Sequence, residues 1–446
     1  MTALPPTPSA ASTTLSWSPL LEGGLADQAI TAVLGIAGHI VALEESAEMA
    51  EAGPSLWEGW AGLALLFAYL EDSGLMKGGL ETAVRFQERA AEALGEAELD
   101  PTLANGFTGV AWAEEHLEQR FTPLEDREDR TAEIDEALVR LLRRRPWQNP
   151  FDLAHGLVGL GVYGLERVSW DSGREVLGAA LDALAELALQ EPEGIAWFTP
   201  AAFVPDYQKP RFPGGYYNLG VAHGVPGVAG LLAAALPTGV RPDLCRTLLT
   251  GAVTWILAHR LPSTAGSAFP SFVVPGEEPS PTRLAWCYGD PGVAAVLLAA
   301  ARALDRPDWE REALAVARAA AARPAAGSLV HDACVCHGAA GVGHLFNRFF
   351  QATGEEAFRE AARYWLATAL RFRQEGQGVG GFLYHTSNPE RPQESYWHAK
   401  PGVLEGAAGV ALALTAAVTS TEPSWDRSLL ATIPSPRLSP GASGLP

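Results

Sequence analysis

Two short motifs carry the residue types best suited to gripping a soft metal ion. They are Trp286-Cys287-Tyr288-Gly289 and, further along, Cys336-His337-Gly338. Two thiolates and an imidazole suit zinc, whereas magnesium and calcium take oxygen ligands. A Cys2His set with no obvious fourth ligand is the pattern of a catalytic zinc site, because substrate enters at the vacant position. Charge then points to the reaction. Two thiolates cancel the dication, so zinc held this way polarises carbonyls poorly but leaves a bound sulfur nucleophilic. Addition or alkylation of a substrate thiol is favoured over hydrolysis. Cys334, two residues before Cys336, is read as directed away from it and packed, and Cys245 as an inert buried thiol. A closed structural zinc would instead need Cys334 as its fourth ligand.

The elements that must bring these residues together repeat along the chain. A Gly-x-x-Gly opens an apolar segment seven times: at Gly59, Gly106, Gly156, Gly224, Gly289, Gly338 and Gly406. The stretches that follow, such as 62–70, 227–236 and 409–418, are apolar nearly all round, as buried helices are. Pro226 and Pro291 fall at helix starts, where the missing N–H is harmless. Between them lie amphipathic segments at 27–48, 80–94, 132–144, 174–190, 243–259, 308–321 and 355–373. Their Arg and Glu at helical spacing mark solvated outer faces. The expected fold is all-α: an α/α toroid, or α/α barrel, of seven outer and seven inner helices. The long links 198–219, 262–285 and 376–400, rich in aromatics, Pro and Gly, read as ordered loops or short strands at the funnel mouth. Expected boundaries are a flexible N-terminal tail over 1–24, the toroid over 25–420 and a C-terminal tail over 421–446.

Superposing the repeats places Glu58, Asn105, His155, His223, Tyr288, His337 and Glu405 in one ring at the funnel mouth. Cys287 and Cys336 stand one position further back in adjacent repeats. Helix N-termini there would help hold them as thiolates. His223 is the natural acid/base candidate, since imidazole titrates near operating pH. Asp152, four residues before Gly156, is either a helix N-cap or a second acid/base group. His331, His344, His385 and His398 have no positional argument and are read as surface or packing residues.

Composition narrows the partners. The net charge of −20 disfavours nucleic acid, which needs clustered Lys and Arg. An apolar share of 48% supports a large core, and no uninterrupted apolar run suggests a transmembrane segment. Four cysteines make no disulfide framework and fit a reduced, cytoplasmic setting.

The motifs Trp286-Cys287-Tyr288-Gly289-Asp290-Pro291-Gly292 and Cys336-His337-Gly338-Ala339-Ala340-Gly341, with Ala222-His223-Gly224, resemble those of the LanC-like lanthipeptide (lantibiotic) cyclases. The resemblance runs over roughly 25–420 and implies an α/α toroid with one zinc ion per chain, held by Cys287, Cys336 and His337. It implies a reaction in which peptide cysteine thiols add across dehydroalanine or dehydrobutyrine to form lanthionine or methyllanthionine thioether rings. It makes His223 and Asp152 acid/base candidates, with Arg283 and Tyr288 assisting at the enolate or positioning the peptide. With no dehydratase or kinase segment expected before residue 25, the stand-alone class I type is implied. Its partners would be a dehydrated precursor peptide, leader plus core, and a separate dehydratase. An alternative within the family is a thiol- or glutathione-binding protein, or one that adds glutathione to other substrates. An α/α-toroid glycosidase built on carboxylates such as Asp152, Glu58 and Glu405 would leave the Cys/Cys/His set without a purpose.

Overall fold

Fifteen α-helices stand among the described residues of the structure, a computed structural model that describes residues 17–94, 100–387 and 395–435. In chain order they are α1 (Gly23–Leu43), a short α2 (Ala47–Ala52), α3 (Trp60–Asp72), α4 (Gly79–Leu94), α5 (Phe107–Phe121), α6 (Ala132–Leu142), α7 (Leu157–Glu166) and α8 (Asp171–Leu187). There follow α9 (Val225–Ala235), α10 (Pro242–Ala258), α11 (Asp290–Leu304), α12 (Pro307–Ala321), α13 (Ala339–Thr353), α14 (Glu356–Arg371) and α15 (Ala407–Val418). The seven that follow a Gly-x-x-Gly start are mostly buried, with α5 the least so. Every residue of α3 from Trp60 to Leu70 is shielded from solvent, as is α15 from Ala407 to Ala417. The seven longer alternate helices bury one face each. In α1 that face is Ala29, Ala32, Val33, Ile36, Ala37 and Ile40, at the three- and four-residue spacing of an amphipathic helix.

Each inner helix touches the next, and α15 touches α3, so the ring closes; α1 then seats on α15, joining the two ends of the chain. Closure is also written in the backbone. Just before each helix start, an N–H donates to the carbonyl of the next repeat: Trp57 to Ala104, Ala104 to Ala154, Leu153 to Ala222, Val221 to Cys287, Trp286 to Cys336, Val335 to Leu404 and Val403 to Trp57, at 2.7–3.3 Å. Every acceptor is the residue two places before its repeat's first glycine. This circuit satisfies backbone groups that no helix could satisfy at its own start.

The second glycine of each pair is what lets the circuit form. A Cβ on Gly109 would collide with the carbonyl oxygen of Leu103 and come within 2.8 Å of Leu56 Cβ in the preceding repeat. Gly159 meets the carbonyl oxygen of Leu153 and Leu103 Cβ in the same way. Gly109→Ala is therefore expected to destabilise the fold by about 1–3 kcal/mol through overpacking. The check is a lower denaturant midpoint with an unchanged slope.

Of seven short strands, β1 (Leu189–Glu191) and β2 (Gly194–Ala196) form a hairpin that precedes the first long link, where α8 ends at Leu187 and not at the expected 190. The other five come from the long links. β3 (Phe198–Thr199), β4 (Tyr216–Asn218) and β5 (Phe272–Val273) form an antiparallel sheet with β4 central. β6 (Tyr384–Ser387) pairs with β7 (Ser395–His398), with His385 opposite Trp397. The tip between these two lies outside the described residues.

Both tail boundaries need correcting. Residues 17–22 are packed against the end of α15: the Trp17 indole N–H donates to Ala416 O at 2.7 Å, and the Leu20 and Leu21 N–H groups both reach Ala417 O. The rest of the expected N-terminal tail, 1–16, lies outside the described residues, as do 436–446. The segment after α15 is not a tail as far as Ser435. Trp425 and Leu429 are buried, and Trp286 donates its indole N–H to Leu429 O at 2.8 Å. Asp426, wholly buried, takes both the Arg348 guanidinium (2.7 and 2.8 Å) and His344 Nε2 (2.8 Å). His344 is thus a core residue. The α1 start at Gly23 and end at Leu43 also shift the expected 27–48 helix forward. By length and composition α1 is the one described helix apolar enough to cross a membrane, and its apolar face is occupied by α15 and α14.

Asp426→Ala would strand the Arg348 charge in a dry site, with an expected loss of about 3–5 kcal/mol. Burial alone would raise the Asp426 carboxyl; Arg348 and His344 outweigh it and hold it at about 2. Because the folded value lies below the ordinary 3.8, its stabilisation is full above that pH and fades as pH falls toward 2. Thermal melts of the wild type and the variant should converge over that acidic range.

Candidate metal and acid/base site

The backbone circuit aims the residues on either side of each acceptor at one end of the ring. Ligand atoms of Cys287, Cys336 and His337 lie there within 4.8 Å of one another. Cys287 and Cys336 are 7% and 8% exposed, so both thiols are shielded yet reachable. The Cys287 and Cys336 N–H groups close on the Cys336 and Leu404 carbonyls, which fixes the approach of the two repeats. The two thiols lie within hydrogen-bond reach of each other. The hydrogen bond from Cys336 holds Cys287 well below its usual range against the opposing pull of burial, with His337 and Arg283 adding to the effect. The same bond, together with burial, raises Cys336. Burial would lower the His337 imidazole, but the Cys287 thiolate raises it. A thiolate, a thiol and an imidazole competing for protons at such range form a donor set that a dication satisfies by displacing them.

Asp332 was not singled out from the sequence, and it completes this side. A carboxylate oxygen of Asp332, the Cys334 sulfur and a ring nitrogen of His337 also gather within 4.8 Å. Asp332 accepts from the Cys334 N–H at 3.0 Å and from the His385 N–H at 2.9 Å. A carboxylate beside a ligating imidazole is the arrangement that orients such a ring. Cys334 belongs to this second group and not to the first; burial followed by Asp332 pushes its thiol well up. Asp332 forms a local turn with Cys334 two residues on, a common motif that by itself carries no sign of a site.

The second polar group sits one repeat over. His223 Nδ1 meets Asp152 Oδ2 at 2.8 Å, while Asp152 Oδ1 accepts from the His155 N–H at 2.6 Å. Asp152 is not the N-cap of α7, which is Gly156; it ties the turn ahead of that helix and holds the His223 imidazole. Burial would lower His223, yet Asp152 outweighs it and raises the imidazole, with Cys287 contributing. Burial would likewise raise Asp152, but His223 and His155 hold it far below the carboxylate range. The His155 ring stacks on His223 at 5.7 Å between centroids. Tyr288 stands between the groups, its ring 6.1 Å from that of His223 and its hydroxyl accepting from Asn218 Nδ2 at 2.9 Å. Arg283 is half-buried, and its charge acts on both Cys287 and His337. All seven expected site residues therefore converge on one end of the ring.

The strands wall this end. Thr199, Tyr216 and Asn218 line a cavity of about 200 Å³ with Asp152, His223 and Tyr288. On the other side, Tyr384 meets His337 edge-on at 5.7 Å, and His385 faces both His331 (5.3 Å) and Trp397 (4.9 Å). His385 and His331, read from sequence as surface or packing residues, are mouth residues. Between them and the ring, Lys400 Nζ and the Tyr384 hydroxyl both reach Glu405, whose N–H donates to Glu58 at 3.1 Å. Burial, then Glu405, pushes Glu58 up to about 8.

Comparison with known proteins agrees with this fold. The family model for lanthionine synthetase C-like proteins matches residues 50–430. Among solved structures, the chain is similar to one titled nisin cyclase, with a TM-score of 0.70 and 19% identity over 90% of this chain and 96% of that one. At that identity the likeness speaks for the fold, while the family match rests on this sequence itself. This chain belongs to the lanthionine synthetase C-like proteins.

Proposed function

We propose that this chain is a zinc-dependent lanthipeptide cyclase that adds cysteine thiols of a dehydrated precursor peptide across its dehydroalanine or dehydrobutyrine residues. The observation that carries the reading is the convergence of Cys287, Cys336 and His337 at the same end of the ring as the His223–Asp152 pair. The three ligands are the chain's own fit to zinc: two sulfurs and one imidazole nitrogen, the donor set of open zinc sites. Zinc bound there would acidify a substrate thiol while leaving its sulfur nucleophilic.

The remaining chemistry belongs to the chain. A new C–S bond forms at the β-carbon of the dehydro-residue, and the electron pair of its double bond moves to the α-carbon and carbonyl as an enolate. Arg283, whose charge acts on Cys287 and His337, and the Tyr288 hydroxyl would steady that negative charge. His223, whose imidazole Asp152 raises, delivers the proton to the α-carbon, and the thiol's proton balances it in solvent. The precursor peptide would enter at the end of the ring walled by the β3–β5 sheet on one side and Tyr384 and His385 on the other. Four cysteines make no disulfide framework, and the chain is assigned to a reducing, cytoplasmic setting on that composition. A separate dehydratase would supply the substrate.

The test is mass spectrometry of a dehydrated precursor incubated with the protein and then treated with a thiol-capping reagent. Ring formation removes capping sites without changing peptide mass. Unchanged capping would overturn the reading, and a glutathione adduct on the dehydro-residues would assign the site to intermolecular thiol addition instead.

A further inference from the structure

The cavity beside His223 holds more room than proton transfer needs. Its volume of about 200 Å³ falls below the roughly 300–1,000 Å³ of whole ligand sites and suits a single side chain. Which part of a peptide would reach it follows from the acid. Asp152 holds His223 Nδ1, so Nε2 is the donor, and a general acid works from about 2.6–3.2 Å or through one water. The α-carbon of the dehydro-residue must therefore stop against the His223 ring. Neighbouring α-carbons of a chain stand about 3.8 Å apart, so the adjoining residue lies within about 7 Å of that ring. His223 is itself part of the cavity wall.

The rest of the wall says which side chain fits. Phe151, Phe203, Tyr207, Tyr216 and Tyr288 all contribute aromatic rings. Phe203 and Tyr207, from the link between β3 and β4, stand 37% and 58% exposed, where an incoming ring could stack on them. The polar groups, by contrast, already have partners. Gln208 donates to the Tyr207 hydroxyl at 3.0 Å and accepts from that of Tyr216 at 3.4 Å. Asn218 donates to the Tyr288 hydroxyl at 2.9 Å and accepts from the Gly220 N–H at 2.8 Å. Both Asp152 oxygens are taken by His155 and His223. An acidic side chain would lie against Asp152, and a basic one would compete with His223 for it. Aromatic faces are what remains to be covered.

We propose that this cavity selects an uncharged aromatic side chain on the residue adjoining the dehydro-residue of the precursor peptide, a preference that rests on the cyclase reading above. The probes are two fluorescein-labelled heptapeptides, with either Phe or Gly on both sides of an alanine that stands in for the dehydro-residue, and a cysteine three residues on. Titrated into the zinc-loaded full chain and followed by anisotropy, the Phe peptide should bind about tenfold more tightly. Phe203→Ala combined with Tyr207→Ala should shrink that difference to about twofold or less with bound zinc unchanged, since both side chains sit at the rim. Tyr207→Phe keeps the ring and should keep the preference. Equal affinities in the wild type, or a preference that the double variant retains, overturn the inference. The same pair with dehydroalanine in place of alanine separates it from the reaction. Rings closed equally fast in both peptides overturn the selectivity and leave the cyclase standing, whereas tighter binding of the Phe peptide with no ring in either overturns the cyclase reading alone.

Discussion

Cys336→Ala is expected to empty the metal site and to abolish ring formation together. The variant leaves Cys287 and His337, two donors where an open zinc site needs three. It also removes the hydrogen-bonding partner that holds Cys287 well below the usual thiol range. Zinc measured by mass spectrometry after dialysis should fall from about one per chain to near zero. Cyclisation of a dehydrated peptide should drop by far more than the roughly 10- to 100-fold that loss of an outer-shell partner produces. Cys245→Ala is the control, for that thiol is buried in α10 against Val240 O, with a value pushed up to about 11 by burial. It should keep its metal and its activity. A Cys336→Ala protein that closes rings at the normal rate would refute the metal assignment outright.

His223→Asn separates metal from proton transfer. The site keeps Cys287, Cys336 and His337, so zinc content should be unchanged, while turnover falls about 10²- to 10⁴-fold, the usual worth of a positioned acid. The sign of the pH dependence follows from the Asp152 contact. Asp152 raises the His223 imidazole above its ordinary 6.5, so the proton donor is fully present below that pH and is lost as pH rises through the raised value. The rate should therefore fall on the alkaline side. Asp152→Asn removes the partner that raises the imidazole, so the alkaline fall should begin at lower pH. If His223→Asn retains full activity, or if Asp152→Asn leaves the pH profile in place, His223 is not the acid.

Much of the fold was legible because it is built from one rule applied seven times. Gly62, Gly109 and their counterparts mark where a Cβ would strike the preceding turn, so the repeat announced both the buried helices and their common centre. The pre-glycine ring followed from the same register, and with it the meeting of Cys287, Cys336, His337 and His223. Contacts between residues far apart in the chain were not legible. Nothing around Asp332 distinguishes a turn-forming carboxylate from one beside a candidate ligand, and only the fold brings His385 and Tyr384 over it. The segment 424–430 lacks the periodicity of a helix and falls in the expected C-terminal tail. Its burial depends on Arg348 and His344 in α13 offering Asp426 a partnered charge. Glu58 and Glu405 were placed in the ring, but Lys400, which lies between them and the β6–β7 hairpin, was not.

Zinc K-edge X-ray absorption on the zinc-loaded protein tests the central arrangement most directly. Two sulfur neighbours at about 2.3 Å and an imidazole nitrogen at about 2.0–2.1 Å, with one remaining light neighbour, are the result required of Cys287, Cys336 and His337 around an open ion. A shell of four sulfurs or of nitrogen and oxygen alone, or a protein that retains no zinc, would contradict it.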